Sequence, residues 1–158
     1  MPSGPDRVPI VPGSAVLSRV EREVTVLLRR SMEDVWAAGY GSDPAVDRFT
    51  YSVLALLDEH GPQDLTTLTA RLGLTKATAS RRVSRLSGAG LVETEPEGRA
   101  MRVALTPAGD AQVARVRGGR AARLGEVLAG WSTEDGDTLA ALLHRLNTDL
   151  DSHRRLPS

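Results

Sequence analysis

The sequence predicts a mainly α-helical chain with one small β-hairpin. Three observations carry this reading. Aromatic residues are only 3% of the 158 residues, while alanine, leucine, arginine and glutamate abound, which suits helices packed through aliphatic side chains. Apolar residues recur at three-four spacing through most of the chain, the repeat of one helix face. Between residues 91 and 105 the repeat shortens to two around a turn-rich tip, which reads as two strands and a turn.

Taken in order, residues 1–13 hold Pro2, Pro5, Pro9 and Pro12 with Gly4 and Gly13. Repeated proline forbids a helix, so a flexible arm is expected. Ser14 is a candidate cap for a long helix reaching about Ala38. Leu17, Val20, Val24, Leu27, Ser31 and Val35 share one face, widened by Val16, Leu28 and Met32. A stripe that broad calls for two partners, its own domain and a second subunit. Gly39-Tyr40-Gly41 ends it. Asp43-Pro44 predicts the next helix, with a cap followed by proline at the first position. Val46, Phe49, Val53, Leu54 and Leu57 form its expected buried face, and His60-Gly61-Pro62 closes it.

Residues 64–106 organise the rest. Asp64 can cap a short helix carrying Leu65, Leu68 and Leu72, and Gly73 stops it. Thr75 caps a second helix, roughly Lys76 to Ser87. Ala79, Val83 and Leu86 fall on its narrow buried face. The open face carries Ala77, Arg81, Ser84 and Arg85, flanked by Thr78, Ser80 and Arg82. Arginine can grip a guanine edge with two hydrogen bonds, hydroxyls serve bases or phosphates, and a small residue permits close approach. Lys76 sits in the first turn, where open amides also favour a phosphate. Gly88-Ala89-Gly90 ends this helix. Leu91 to Thr94 reads as a strand, Glu95 to Arg99 as a tip, and Ala100 to Leu105 as the returning strand. In that return Met101, Val103 and Leu105 share one face. Arg99 at the tip is the candidate for a minor groove, whose negative potential attracts arginine.

The run Leu-Thr-Lys-Ala-Thr-Ala-Ser-Arg-Arg-Val-Ser-Arg-Leu-Ser-Gly-Ala-Gly-Leu-Val-Glu (74–93), followed by Val-Ala-Leu-Thr-Pro-Ala-Gly (103–109), resembles the MarR family of bacterial winged helix-turn-helix transcription regulators. The resemblance covers about residues 15–152. It implies double-stranded DNA as partner, with Thr75, Lys76, Ala77, Thr78, Ser80, Arg81, Arg82, Ser84, Arg85 and Arg99 as contacts. It also implies a homodimer on a near-palindromic operator, most often a repressor. Family members often carry Asp-Arg-Arg at the wing tip. Here Gly98-Arg99-Ala100 stands instead, so the aspartate that would orient the arginine is missing.

After the hairpin, Thr106-Pro107 repeats the cap-and-proline device. A helix is expected to about Leu128, with Val113, Val116, Leu124 and Val127 in register. Gly118-Gly119 predicts a bend or a close-packing point, and Arg115, Arg117, Arg120 and Arg123 a solvated basic face. Ser132 caps a last helix carrying Leu139, Leu142, Leu143, Leu146 and Leu150. The expected organisation is an arm at 1–13, a single domain at 14–152 and a tail at 153–158. Within the domain, 14–42 and 107–152 are dimerisation helices and 43–106 the DNA-binding lobe.

Composition narrows the function classes. Twenty basic and twenty acidic residues give zero net charge, so any basic face is local. The lobe's excess is offset by Glu21, Glu23, Glu33, Asp34, Asp43, Glu134, Asp135 and Asp137. There is no cysteine, which excludes disulfides and thiol redox sensing. No apolar run is long enough to span a membrane. No apolar core follows a basic start, so a cytoplasmic protein is expected. There is no phosphate-cradling glycine loop, no cysteine nucleophile and no His-Glu metal motif, so no enzyme, cofactor or metal is expected. His60, His144 and His153 read as inert. The resemblance further implies a small aromatic or phenolic ligand, with Trp36, Tyr40, Phe49 and Tyr51 as lining candidates. Their alternative role is to fill the core. The alternative for the whole chain is a winged-helix protein-interaction module. Seven basic residues among 64–102 (Arg71, Lys76, Arg81, Arg82, Arg85, Arg99 and Arg102) against Asp64, Glu93, Glu95 and Glu97 disfavour it.

Overall fold

The computed structural model describes residues 10–31 and 38–154. Trp36, the expected continuation of the first helix over 32–37, the first nine residues of the arm and the tail from 155 lie outside the described residues. The chain divides into two compact units, residues 1–117 and 118–158.

In the first unit, α1 (Ala15–Ser31) starts where Ser14 Oγ accepts the Leu17 amide, at 3.3 Å. Its stripe of Leu17, Val20, Val24 and Leu27 is exposed in the single chain. A 3-10 turn at Ala38–Tyr40 precedes Gly41, which has a positive φ of 81°.

The helix expected from Asp43-Pro44 begins later. Residues 43–50 form successive turns, and α2 is Tyr51–His60. Local carboxylates explain the delay. Asp43 Oδ1 accepts the Ala45 amide at 2.8 Å. Asp47 Oδ1 accepts the amides of Phe49 and Thr50 at 2.8 and 2.9 Å. Aspartate side chains offer the backbone a turn in competition with a helix. The buried Thr50 hydroxyl locks the turn by donating to Ala45 O at 2.7 Å and accepting from the Asp47 amide at 2.9 Å. Phe49 therefore precedes the helix and is half-exposed, not part of its buried face, while Val46, Val53, Leu54 and Leu57 are buried as expected.

The next segment holds a strand absent from the expectation. Gln63–Asp64 (β1) pairs antiparallel with Ala100–Leu105 (β3), whose other edge pairs with Val92–Glu97 (β2). The wing is thus a three-stranded sheet in the order β1-β3-β2. The tip is also tighter than expected. Glu97 pairs with Ala100, leaving only Gly98 and Arg99 in the turn. Gly98 has φ +61° and no described non-glycine residue has positive φ, the pattern of a type II′ hairpin turn, which takes glycine at its first central position.

Between β1 and β2 lie α3 (Leu65–Leu72) and α4 (Lys76–Gly88). The Asp64 side chain caps α3 through the Thr67 amide, at 2.9 Å. Gly73 ends α3 in the left-handed conformation, with its amide on Ala70 O and the Leu74 amide on Thr69 O. That bond pair closes the helix and needs a residue tolerant of positive φ. Gly90 repeats the device after α4, where the Leu91 amide reaches Leu86 O at 3.0 Å. Leu68, Val83, Leu86, Leu91, Val92 and Val103 then join Leu54, Leu57, Val113 and Val116 in one core.

Helix α5 (Pro107–Val127) enters against this core. Thr106 Oγ1 donates to Gly90 O at 2.6 Å and accepts the Gly109 amide at 3.1 Å. A Cβ built on Gly109 would stand 2.1 Å from Leu91 O. The Leu-Thr-Pro-Ala-Gly run is thus a joint: threonine ties the helix start to the end of α4, and glycine admits the carbonyl of Leu91. Gln112, one turn on, is buried, and its Nε2 donates to Tyr40 O at 3.0 Å.

In the second unit, the remainder of α5 runs unbroken through Gly118-Gly119, and a Cβ at either glycine would meet nothing within 4 Å. Among the described residues nothing packs closely against that pair. Ser132 caps α6 (Thr133–Arg154) through the Asp135 amide at 3.1 Å. Leu142, Leu143, Leu146 and Leu150 of α6 are exposed in the single chain. No described helix is long and apolar enough to cross a membrane.

Candidate nucleic-acid interface

The site is built on α4. Thr75 Oγ1 accepts the Thr78 amide at 3.2 Å and lies 2.9 Å from the Thr78 hydroxyl. The cap fixes where the first turn begins, and so where its remaining amides point. Ala79, Val83 and Leu86 are buried; full burial of one such aliphatic side chain is worth about 1.5–3 kcal/mol. That anchoring leaves Lys76, Ala77, Ser80, Arg81, Ser84 and Arg85 exposed, with Thr78 and Arg82 half-buried at the margins. Thr75→Ala is expected to cost about 1 kcal/mol of stability, read as a lower urea midpoint at unchanged slope.

Two of the sequence-predicted arginines bind the protein itself. Arg85 Nη1 donates to Asp47 Oδ2 at 2.8 Å, and its Nη2 to Pro44 O. Arg82 Nη1 donates to Phe49 O at 3.1 Å. Both therefore brace α4 against the 43–50 turn. An exposed ion pair alone contributes little, but the two-point hold of Arg85 fixes the direction of its guanidinium. Arg81, Lys76, Ser80 and Ser84 have no such tether among the described contacts. Asp47 was not singled out by the sequence; its only signal was an aspartate two and three residues ahead of Phe49 and Thr50.

Partial burial would raise the Asp47 carboxyl, but the Thr50 and Phe49 amides and the Arg85 guanidinium outweigh it and hold the group below its usual value. Asp64 is also lowered, chiefly by the Thr67 hydroxyl and then the Thr67 amide. Carboxyls depressed in the folded state bind protons more readily when unfolded. Their stabilisation is full above the ordinary aspartate value of about 4 and lost as pH falls through the lower folded values. Asp47→Asn should flatten that acid-side decline in urea midpoint; an unchanged slope against pH would show that Asp47 contributes nothing to it.

Arg99 is exposed at the wing tip, held outward by the two-residue turn. Of the aromatic candidates, Tyr40 and Tyr51 meet edge to face with centroids 5.6 Å apart and planes at 62°. Tyr51 is buried and Tyr40 partly so. Phe49 instead lies beside α4, with Arg48 4.5 Å and Arg82 5.3 Å above its ring. The basic run on α5 is largely paired: Arg115 donates to Gln112, Arg117 to Asp58 at 2.5 Å, and Arg123 to Glu126 at 3.4 Å.

Two capped helices joined by a tight glycine turn, an arginine- and hydroxyl-bearing open face and a hairpin wing define a winged helix-turn-helix protein of the DNA-binding regulator class. Residues 46–102 match the model of the MarR family. The fold is shared with solved structures over most of the chain. Protein RV1404 of Mycobacterium tuberculosis is 24% identical, with 86% of this chain and 94% of that one covered at a TM-score of 0.69. A MarR family protein from Bacillus stearothermophilus is 22% identical, with 87% and 94% covered at 0.67. BpsR of Bordetella bronchiseptica, whose DNA binding is regulated by 6-hydroxynicotinic acid, is 22% identical, with 79% and 98% covered at 0.59. No curated protein sequence matches the chain.

Proposed function

We propose that the protein is a cytoplasmic transcriptional repressor that binds a near-palindromic operator as a homodimer and is released by a small aromatic or phenolic ligand. The observation that carries this reading is the open face of α4. Lys76, Ala77, Ser80, Arg81 and Ser84 stand outward on a helix whose other side is buried. In the major groove Arg81 reads a base edge, the serines serve bases or phosphates, and Ala77 permits close approach. Thr75, Thr78 and Lys76 lie at the helix start, where a phosphate meets open amides. Arg82 and Arg85 line the margin of the same face, and Arg99 reaches a minor groove from the wing.

The dimer reading rests on apolar surface. Leu17, Val20, Val24 and Leu27 of α1 and Leu142, Leu143, Leu146 and Leu150 of α6 are all exposed in one chain, more than a solitary protein leaves to water. Pairing residues 14–42 and 107–152 between subunits covers them. Two recognition helices then meet half-sites about one helical turn apart. The ligand reading is supported by BpsR, whose DNA binding responds to an aromatic acid; Tyr40 and Tyr51 supply paired rings for such a molecule here.

Fluorescence anisotropy tests the reading, using the duplex just upstream of the coding region against a scrambled duplex at two salt concentrations. Tight, selective, salt-weakened binding is expected. If selection from a random duplex pool also enriches nothing, the repressor reading fails and the protein-interaction alternative stands.

A further inference from the structure

The 43–50 turn carries an arrangement that the reading of α4 does not use. Arg48 is exposed, and its guanidinium lies 4.5 Å from the centroid of the Phe49 ring. Arg82 lies 5.3 Å from the same centroid, and its Nη1 is hydrogen-bonded to Phe49 O at 3.1 Å. One half-exposed phenyl ring thus holds two cations, one from the turn and one from the edge of the recognition helix. A ring quadrupole attracts cations over its face, and that attraction offsets the repulsion between two like charges sharing a site. The nearby Asp47 does not neutralise them, because its carboxylate is engaged by Arg85 and two backbone amides. Among the described residues no carboxylate lies within ion-pair distance of Arg48. The same ring borders a shallow cleft with Arg81, Arg82 and Arg85, so the cations flank the face that reads bases.

We infer that Arg48 and Arg82, stacked on Phe49, form a clamp for the DNA sugar-phosphate backbone at the margin of the recognition helix. This rests on the DNA-binding reading of α4. Arg48 is the phosphate contact and Phe49 a positioning residue that touches no base. The turn at 43–50 places Phe49 beside α4, outside the buried face of the helix that follows. The clamp carries no sequence information; it fixes the register in which Arg81 meets a base, as backbone contacts do.

The test is the salt dependence of binding by the full chain to a duplex it selects from a random pool. Each neutralised phosphate contributes about −0.9 to the slope of log K against log salt. Arg48→Ala is expected to make the slope shallower by about that amount, with the base preference of the selected duplex unchanged. Phe49→Ala should reproduce the loss, while Phe49→Trp, which keeps a ring face, should restore the slope. Thermal melts of each variant confirm that the lobe remains folded. An unchanged slope in both Arg48→Ala and Phe49→Ala, with the wild type binding normally, overturns the clamp and leaves the α4 reading intact. A wild type that selects no duplex overturns both together. Altered base preference in Arg48→Ala would make Arg48 a base reader and overturn its assignment to phosphate.

Discussion

Gly109→Ala should be among the most damaging single-methyl additions in the chain. The added carbon would sit 2.1 Å from the Leu91 carbonyl oxygen, with Leu105 Cδ2 at 3.1 Å. The obstacle is backbone, so no side chain can swing aside. Leu91 O already accepts the Thr106 amide, and the Leu91 amide closes the end of α4 on Leu86 O. Relief therefore requires α5 to move off the core that holds Val113 and Val116. Overpacking of this kind costs about 1–3 kcal/mol and occasionally more; the rigidity of the obstacle places Gly109 near 3 kcal/mol. At this chain length each kcal/mol corresponds to roughly 2–4 °C. The expected result is a drop in Tm of about 6–12 °C by circular dichroism. A variant melting within a degree or so of wild type would show that the joint is slack.

The second large effect is on binding. Arg81→Ala is expected to weaken specific DNA binding by about 1–3 kcal/mol, the worth of one good base contact, with little change in Tm. Arg81 is exposed on α4 and makes no hydrogen bond or ion pair among the described contacts, so its removal leaves the fold's own bonds in place. Arg85→Ala differs in kind, because it also releases Asp47 and Pro44 O. A competition assay with single-base variants of the selected duplex separates the two. Arg81→Ala should relax preference at one position of each half-site. Unchanged affinity and unchanged preference would remove Arg81 from the set of base readers.

What could be read from the sequence was local chemistry. Asp64, Thr75, Thr106 and Ser132 were readable as caps because each satisfies amides within three residues. The inward and outward faces of α4 followed from its period. Where the structure departs from these expectations, the cause is non-local. Asp43-Pro44 suits a helix start and a turn equally; the turn wins because Asp47 captures two amides while held by Arg85, 38 residues further along. Phe49 went with it, since its buried position existed only if the helix began early. β1 is two residues long and has no period to detect, so only its partner β3 reveals it. Pro96 and Gly98 both signal turns and so predict a wider tip, yet Pro96 sits within a paired strand opposite Met101.

The pairing of Gln63 with Val103 and Asp64 with Arg102 has a consequence for the speed of recognition. The strand that joins β3 continues directly into α3, and Asp64 belongs to both. The base of the wing is therefore not a loose flap to be gathered in when a duplex arrives. The freedom of that hairpin is given up once, when the chain folds, so the encounter complex does not have to order it again. An unrestrained hairpin would search for its groove after first contact and slow the approach to the bound state. Here the base of the wing and the helix should arrive together, and association should follow one exponential at a rate set by diffusion and ionic strength.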